Sequence, residues 1–136
     1  LYINSAGGNV TDGLAIHDSI RAIVHRGIEF SIVVQGMAYS MGSVVLQVAG
    51  PGRRLAQAHS WIMIHEPAKW AGWQSTSAAA QHLDRLKQMQ AQIYQILATR
   101  SGRPLQKIIR DTKRTDFYLD ATKALEYGLI DGIVES

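Results

Sequence analysis

Short apolar runs alternate with helix-patterned segments along the whole chain, and glycines mark many of the boundaries. The apolar runs, which are typical of strands, cover residues 1–4, 28–34, 53–66 and 129–134. The segments with helical spacing of apolar residues cover 10–27, 43–50, 76–100, 104–112 and 120–128. Strands that alternate with helices pair mostly in parallel, so the sequence predicts a single α/β domain over residues 1–136.

Composition excludes several classes of function. The 136 residues carry a net charge of +3, and no run of five or more basic residues occurs, so we do not expect a nucleic-acid partner. No apolar run approaches the length of a membrane-spanning helix, so we expect no membrane association. Cysteine is absent, which excludes a disulfide framework and a thiol nucleophile, and a cytoplasmic location is the expectation.

One serine lies in a predicted turn between a strand and a helix. Residues 35–42, QGMAYSMG, hold Ala38, Ser40 and Gly42 in the order A-x-S-x-G, a relaxed form of the G-x-S-x-G nucleophile elbow. Such an elbow exposes the serine and offers it the free N–H groups of the following helix. The alternative is a serine that caps the helix, which the motif taken alone favours.

A second turn, SAGGN at residues 5–9, also follows a predicted strand. Its adjacent glycines, Gly7 and Gly8, can adopt conformations that direct backbone N–H groups at one point. The carboxyl ends of parallel strands lie at one edge of a sheet, where ligand sites of α/β proteins form. The pairing of the two turns therefore favours a nucleophilic role for Ser40.

A nucleophilic serine needs a base, and the chain has five histidines. His65 is the best candidate because it follows the apolar run WIMI, which places it at a strand end. Three others, His17, His25 and His82, lie in helix-patterned segments where packing or exposure explains them. A metal site that uses His59, His65 and Glu66 is disfavoured because their spacing matches no helical zinc motif.

The base in turn needs a carboxylate that orients it. Three aspartates cluster after the short helix at 104–112, namely Asp111, Asp116 and Asp120. Asp120 is predicted to cap the next helix. Physical reasoning from the residues leaves the choice between Asp111 and Asp116 open.

Four segments resemble, in collinear order, the proteolytic subunits of Clp proteases (the ClpP family). They are LYINSAGGNVTDGLAIHDSI, GMAYSMGSVVL, WIMIHEP and ALEYGLIDGIV. The resemblance covers essentially the whole chain. It implies the ClpP/crotonase fold, an α/β fold of repeated β-β-α units in which the long helix at 76–100 forms a projecting handle.

The resemblance also implies a role for individual residues. Ser40 matches the family's nucleophile and His65 its general base. The family's aspartate lies at a fixed distance before the glycine of the last block, which gives Asp116. Its oxyanion donors are backbone N–H groups, which correspond here to Gly8 and Met41.

The chain departs from the family pattern in four places. Ala6 stands where proline is usual, and Glu66 stands where glutamine is usual after the histidine. Residues 67–75, PAKWAGWQS, replace a glycine-rich stretch that in the family contacts the facing ring. One extra residue precedes Asp116, which predicts a change in the loop that carries the aspartate.

The implied activity is that of a serine endopeptidase. Such subunits form two stacked heptameric rings that degrade unfolded polypeptides supplied by a Clp/Hsp100 AAA+ unfoldase. ATP is used by that partner, so no cofactor is expected on this chain. The resemblance places an axial-loop segment and a first helix upstream of Leu1. The alternatives are a non-catalytic ring subunit and, further away, a crotonase-type acyl-CoA enzyme.

Overall fold

The computed structural model describes residues 1–67 and 76–135. Most of the altered stretch at 67–75 therefore lies outside the described residues. Within them the strands are β1 (Tyr2–Ser5), β2 (Ile32–Tyr39), β3 (Arg54–Gln57), β4 (Trp61–Ile64), β5 (Phe117–Asp120) and β6 (Gly132–Val134). The helices are α1 (Val10–His25), α2 (Met41–Leu46), α3 (Thr76–Ser101), α4 (Leu105–Thr112) and α5 (Ala121–Tyr127). The predicted α/β class is confirmed.

The strands form one six-stranded sheet in the order β5-β4-β2-β3-β6, with β1 paired to β2. In the described parts of the chain every pairing is parallel except that of β4 with β5. Strand β2 pairs with β3 through Ile32–Val34 and with β4 through Met37–Tyr39. This branching makes β2 the central strand, so the residue that follows it is held by neighbours on several sides.

Strand β2 differs from the sequence prediction, which placed a strand at 28–34 and a turn from 35. The strand starts later and runs to Tyr39. Gly36 lies inside it with φ 83°, and the register with β1 shifts between Ile3 and Ser5. The glycine that suggested a turn is therefore part of a β-bulge, which bends a strand without ending it.

Two further elements differ from the prediction. Helix α2 covers Met41–Leu46 rather than 43–50, so it starts immediately after Ser40. Strand β5, at Phe117–Asp120, was predicted as irregular chain and pairs antiparallel with β4. Its local sequence shows no clear alternation of apolar and polar residues, and the antiparallel pairing with β4 supplies the stabilisation.

The core lies between the sheet and the helices, and α2 is buried along its whole length. Helix α3 begins and ends as predicted to within a residue, but its predicted apolar face is only half buried. Ile93 and Leu97 lie in the core, whereas Leu83 is 37% exposed. The first half of α3 thus projects from the domain, as expected for the handle helix.

A buried polar group, which we call the Arg54 cluster (Gln47, Arg54 and Asp131), ties α2 to the C-terminal segment. The Arg54 guanidinium donates to Gln47 Oε1 at 2.7 Å and to both carboxylate oxygens of Asp131 at 2.6 and 3.1 Å. Gln47 Nε2 donates to the Leu129 carbonyl at 3.1 Å. Burial alone would raise the pKa of Asp131, but the hydrogen bonds and charge of Arg54 outweigh it and lower that pKa.

Candidate active site

Two neighbouring parallel strands bring Ser40 and His65 to the same edge of the sheet. Tyr39, the last residue of β2, is paired with Met63 of β4, and the N–H of Ser40 donates to the Met63 carbonyl at 2.9 Å. His65 directly follows the end of β4. Both residues therefore lie directly after the ends of neighbouring strands, as predicted from the sequence.

Ser40 has the backbone conformation of a sharp elbow rather than that of a helix cap. Its φ and ψ are 54° and −121°, a region that costs a non-glycine residue about 1–3 kcal/mol. It occupies the position before the first turn of α2, yet its side chain makes no capping hydrogen bond. The hydroxyl instead lies 2.8 Å from His65 Nε2, so the capping interpretation is wrong for this serine.

A continuous hydrogen-bonded chain joins Ser40, His65 and Asp116. Besides the contact with Ser40, His65 Nδ1 lies 3.0 Å from Asp116 Oδ1. With the proton on Nδ1 the ring donates to the carboxylate, and Nε2 is free to accept from the serine hydroxyl. The extra residue before Asp116 does not move the carboxylate out of reach of His65.

The other two aspartates of the cluster are engaged elsewhere. Asp111 accepts a hydrogen bond from the Tyr127 hydroxyl at 2.8 Å and lies 3.1 Å from Lys107 Nζ. Burial would raise the pKa of Asp111, but the hydrogen bonds from Tyr127 and Lys107 lower it overall. Asp120 caps α5 by accepting from the N–H of Lys123 at 2.8 Å, as predicted. Only Asp116, among these three, contacts His65.

The glycine turn after β1 packs against the serine elbow. A Cβ placed on Gly7, whose φ is 93°, would lie 2.7 Å from both Ser40 Cβ and the Tyr39 carbonyl oxygen. A Cβ on Gly8 would meet nothing within 4 Å, so that side of the turn is open. Among residues 1–67 and 76–135, no acceptor receives the N–H of Gly8 or of Met41. These two donors remain available to a ligand beside Ser40.

A small apolar recess of about 20 Å³ adjoins Ser40 and His65. Its apolar lining comes from Val10, Met41, Val44, Ile64, Ile93 and Leu97. These residues come from α1, α2, α3 and β4, so the recess is assembled from elements that are far apart in the sequence.

Glu66 joins the site through a contact that its sequence position does not predict. Its Oε1 accepts a hydrogen bond from the backbone N–H of Arg114 at 2.6 Å. Arg114 lies two residues before Asp116 and has a left-handed φ of 58°. The adjacency of Glu66 to His65 was visible in the sequence, but its partner is separated from it by 48 positions. Only the folded chain shows this contact.

Two further observations concern metal-ion sites and membrane-spanning helices. In the part of the chain that the structure describes, no three His, Cys, Asp or Glu side chains are grouped so as to hold a metal ion. Among the same residues, no helix is both long enough and apolar enough to span a membrane.

The family to which the chain belongs follows from comparison with protein-family models. The model described as Clp protease matches residues 1–136, the full length of the sequence. Its match agrees with the α/β fold and the handle helix described above. The chain therefore belongs to the Clp protease family, a membership that supports a ClpP-type peptidase.

Proposed function

We propose that this chain is a serine endopeptidase subunit in which Ser40 is the nucleophile, His65 the general base and Asp116 its orienting carboxylate. The observation that carries the proposal is the hydrogen-bonded chain through Ser40, His65 and Asp116, with contacts of 2.8 and 3.0 Å. Its three members come from the ends of β2 and β4 and the residue before β5. Three separate segments thus converge in the order that proton transfer requires.

In the acylation step, Ser40 Oγ attacks the carbonyl carbon of the scissile peptide bond while His65 Nε2 takes the hydroxyl proton. The proton on Nδ1 stays in the hydrogen bond to Asp116, which stabilises the imidazolium that forms. Collapse of the tetrahedral intermediate breaks the C–N bond, and His65 gives its proton to the leaving amine. The product is an acyl ester on Ser40.

The carbonyl oxygen becomes negatively charged in this intermediate. We assign the backbone N–H groups of Gly8 and Met41 as its donors, because both are unused among the described residues, Met41 directly follows Ser40, and Gly8 follows Gly7, which packs against Ser40. Loss of a single oxyanion donor costs a hydrolase on the order of 10²–10³ in kcat. A water molecule then attacks the ester with His65 as base and regenerates Ser40.

The small apolar recess suggests the character of the residue next to the scissile bond. Its apolar lining disfavours a charged side chain beside Ser40. We propose that an uncharged side chain precedes the cleaved bond.

Family membership supports the remaining parts of the proposal. The substrates are unfolded polypeptides, degraded inside a chamber of two stacked heptameric rings. A Clp/Hsp100 AAA+ unfoldase delivers them and uses the ATP, so this chain is proposed to need no cofactor and to act in the cytoplasm.

The proposal is tested by labelling with a fluorophosphonate probe, followed by peptide mapping. We expect a stoichiometric adduct on Ser40 in the wild type and none in Ser40→Ala. Ser19→Ala is the matched control, because Ser19 is exposed on α1 and its hydroxyl only donates to the Ala15 carbonyl. Absence of an adduct from a correctly assembled wild type would favour the non-catalytic ring subunit and contradict the proposal.

A further inference from the structure

The loop that carries Asp116 has little packing to hold it in place. Residues 113–116 are all exposed, and the Asp116 side chain retains 52% of its accessible surface. Helix α4 ends at Thr112, which is fully buried and anchors the N-terminal side of the loop. An orienting carboxylate must be held to within a fraction of an ångström, so contacts other than burial have to fix this loop.

Two consecutive residues after β4, His65 and Glu66, make the described contacts with this loop. His65 contacts Asp116, and Glu66 accepts the N–H of Arg114 at 2.6 Å. A carboxylate that accepts from a backbone N–H makes a charge-assisted hydrogen bond, about twice as strong as a neutral one. Glu66 thus binds the loop backbone two residues before the carboxylate that His65 must meet.

The conformation of Arg114 shows that the loop needs such a restraint. Its φ of 58° lies in the left-handed region, which is unfavourable for a residue with a Cβ. This left-handed residue lies two positions before Asp116, so its conformation sets the direction in which the chain approaches that carboxylate. The hydrogen bond from Arg114 to Glu66 stabilises the strained backbone in that conformation.

We infer that Glu66 is a positioning residue, which acts on the reaction by holding the Asp116 loop against His65. Glu66 does not line the recess beside Ser40; it borders an open cleft together with His65 and Asp116. The inferred effect on the reaction passes through Asp116. This inference rests on the proposed peptidase function.

Three substitutions separate the reach of the Glu66 side chain from its charge. Glu66→Ala removes the acceptor, and Glu66→Asp keeps the charge but is one methylene too short. Both should lower kcat on a peptide substrate by on the order of tenfold to 10²-fold, with KM nearly unchanged. Glu66→Gln keeps an acceptor oxygen at the same reach and should stay within about threefold of the wild type.

Lys113→Ala is the matched control in the same loop. It removes an exposed side chain and leaves the Arg114 N–H and its acceptor Glu66 in place, so kcat should be unchanged. A cycle with Asp116→Asn gives the decisive readout. If Glu66 acts through Asp116, Glu66→Ala should cause no further loss in that background. An equal further loss would show that Glu66 acts elsewhere and would overturn the inference.

Hydrogen exchange of a peptide spanning residues 113–117 tests the contact without any activity. Glu66→Ala and Glu66→Asp should raise the exchange rate of one amide by about tenfold, the effect of losing a hydrogen bond to a charged group. A wild type without a Ser40 adduct contradicts the proposed function. An active wild type with fully active Glu66→Ala contradicts the positioning role alone.

Discussion

Two polar clusters in the described part of the molecule, the Arg54 cluster and the group of Ser40, His65 and Asp116, differ in how far their members are exposed and paired. In the Arg54 cluster, the Arg54 side chain is 7% exposed and donates to Gln47, Asp131 and the Gly128 carbonyl. In the hydrogen-bonded chain of Ser40, His65 and Asp116, the His65 and Asp116 side chains are 22% and 52% exposed. The Asp131 side chain is 22% exposed, as is that of His65, so the clearest difference lies between the buried Arg54 of the first cluster and the exposed Asp116 of the second.

Unpaired donors and backbone strain distinguish a reactive polar cluster from a structural one in this fold. Four hydrogen bonds join the Arg54 guanidinium to protein acceptors, and the buried side chain presents little to a ligand. Beside Ser40, two backbone N–H groups have no described acceptor, and the serine backbone is strained. Unused donors and local strain next to a nucleophile are the features expected of a site that binds a transition state.

The largest expected effect separates the two carboxylates that could orient His65, namely Asp116 and Asp111. Asp116→Asn should lower kcat by on the order of 10⁴, because the amide favours the wrong tautomer of His65. Asp111→Asn is the matched control and should leave kcat essentially unchanged, since Asp111 contacts Tyr127 and Lys107 instead. Steady-state kinetics on a short peptide would decide, and the reverse ranking would move the orienting role to Asp111.

Removing one partner from the Arg54 cluster should affect stability rather than chemistry. Arg54→Met leaves the Asp131 carboxylate and Gln47 without their donor, so we expect the free energy of unfolding to fall by about 3 kcal/mol. Denaturant unfolding measures this loss, and the folded fraction should keep its turnover per labelled Ser40. A variant with native stability and impaired chemistry would show that the two clusters are not functionally distinct.

Substitutions at the two adjacent glycines of the SAGGN turn test how closely this turn packs against Ser40. Gly7→Ala would bring a Cβ to 2.7 Å from Ser40 Cβ, so the turn or the elbow must shift. We expect kcat to fall by on the order of 10²-fold, the effect of a displacement near 1 Å. Gly8→Ala meets nothing within 4 Å and should remain within a few-fold of the wild type. Similar losses in both variants would contradict the packing described for this turn.

The smallest expected effect is a pH dependence of stability that originates in the Arg54 cluster. The pKa of Asp131 is lowered in the folded state below its usual value of 3.8, which means that the native state favours the carboxylate. Its contribution is therefore present above pH 3.8 and is lost as the pH falls through the folded pKa. Unfolding free energies measured from pH 6 to pH 2 should decline less steeply in Asp131→Asn than in the wild type.

The same slope in both proteins would indicate that Asp131 does not contribute to the acid dependence. Asp111, whose pKa is lowered as well, contributes in the same direction, so the comparison is best repeated in an Asp111→Asn background. The neutral substitution there removes the second carboxylate from the titration.

Local features of the sequence determined the α/β class and the two residues closest to the chemistry. Apolar periodicity placed most helices and strands, since periods of two and 3.6 residues are readable within short windows. Ser40 and His65 were identified because each follows an apolar strand, and strand ends are local signals. The N-cap at Asp120 was predicted for the same reason.

Tertiary structure alone decided which acidic side chains enter the site. Asp116 and His65 are separated by 51 positions, and Glu66 and Arg114 by 48, so no local pattern specifies their contacts. Reasoning from the residues alone did not choose between Asp111 and Asp116, whereas the family resemblance already favoured Asp116. Strand β5 and the bulge at Gly36 likewise exist because a neighbouring strand supplies partners for their backbone groups. Sheet pairing brings these distant segments within hydrogen-bonding distance, and that pairing is a property of the whole fold.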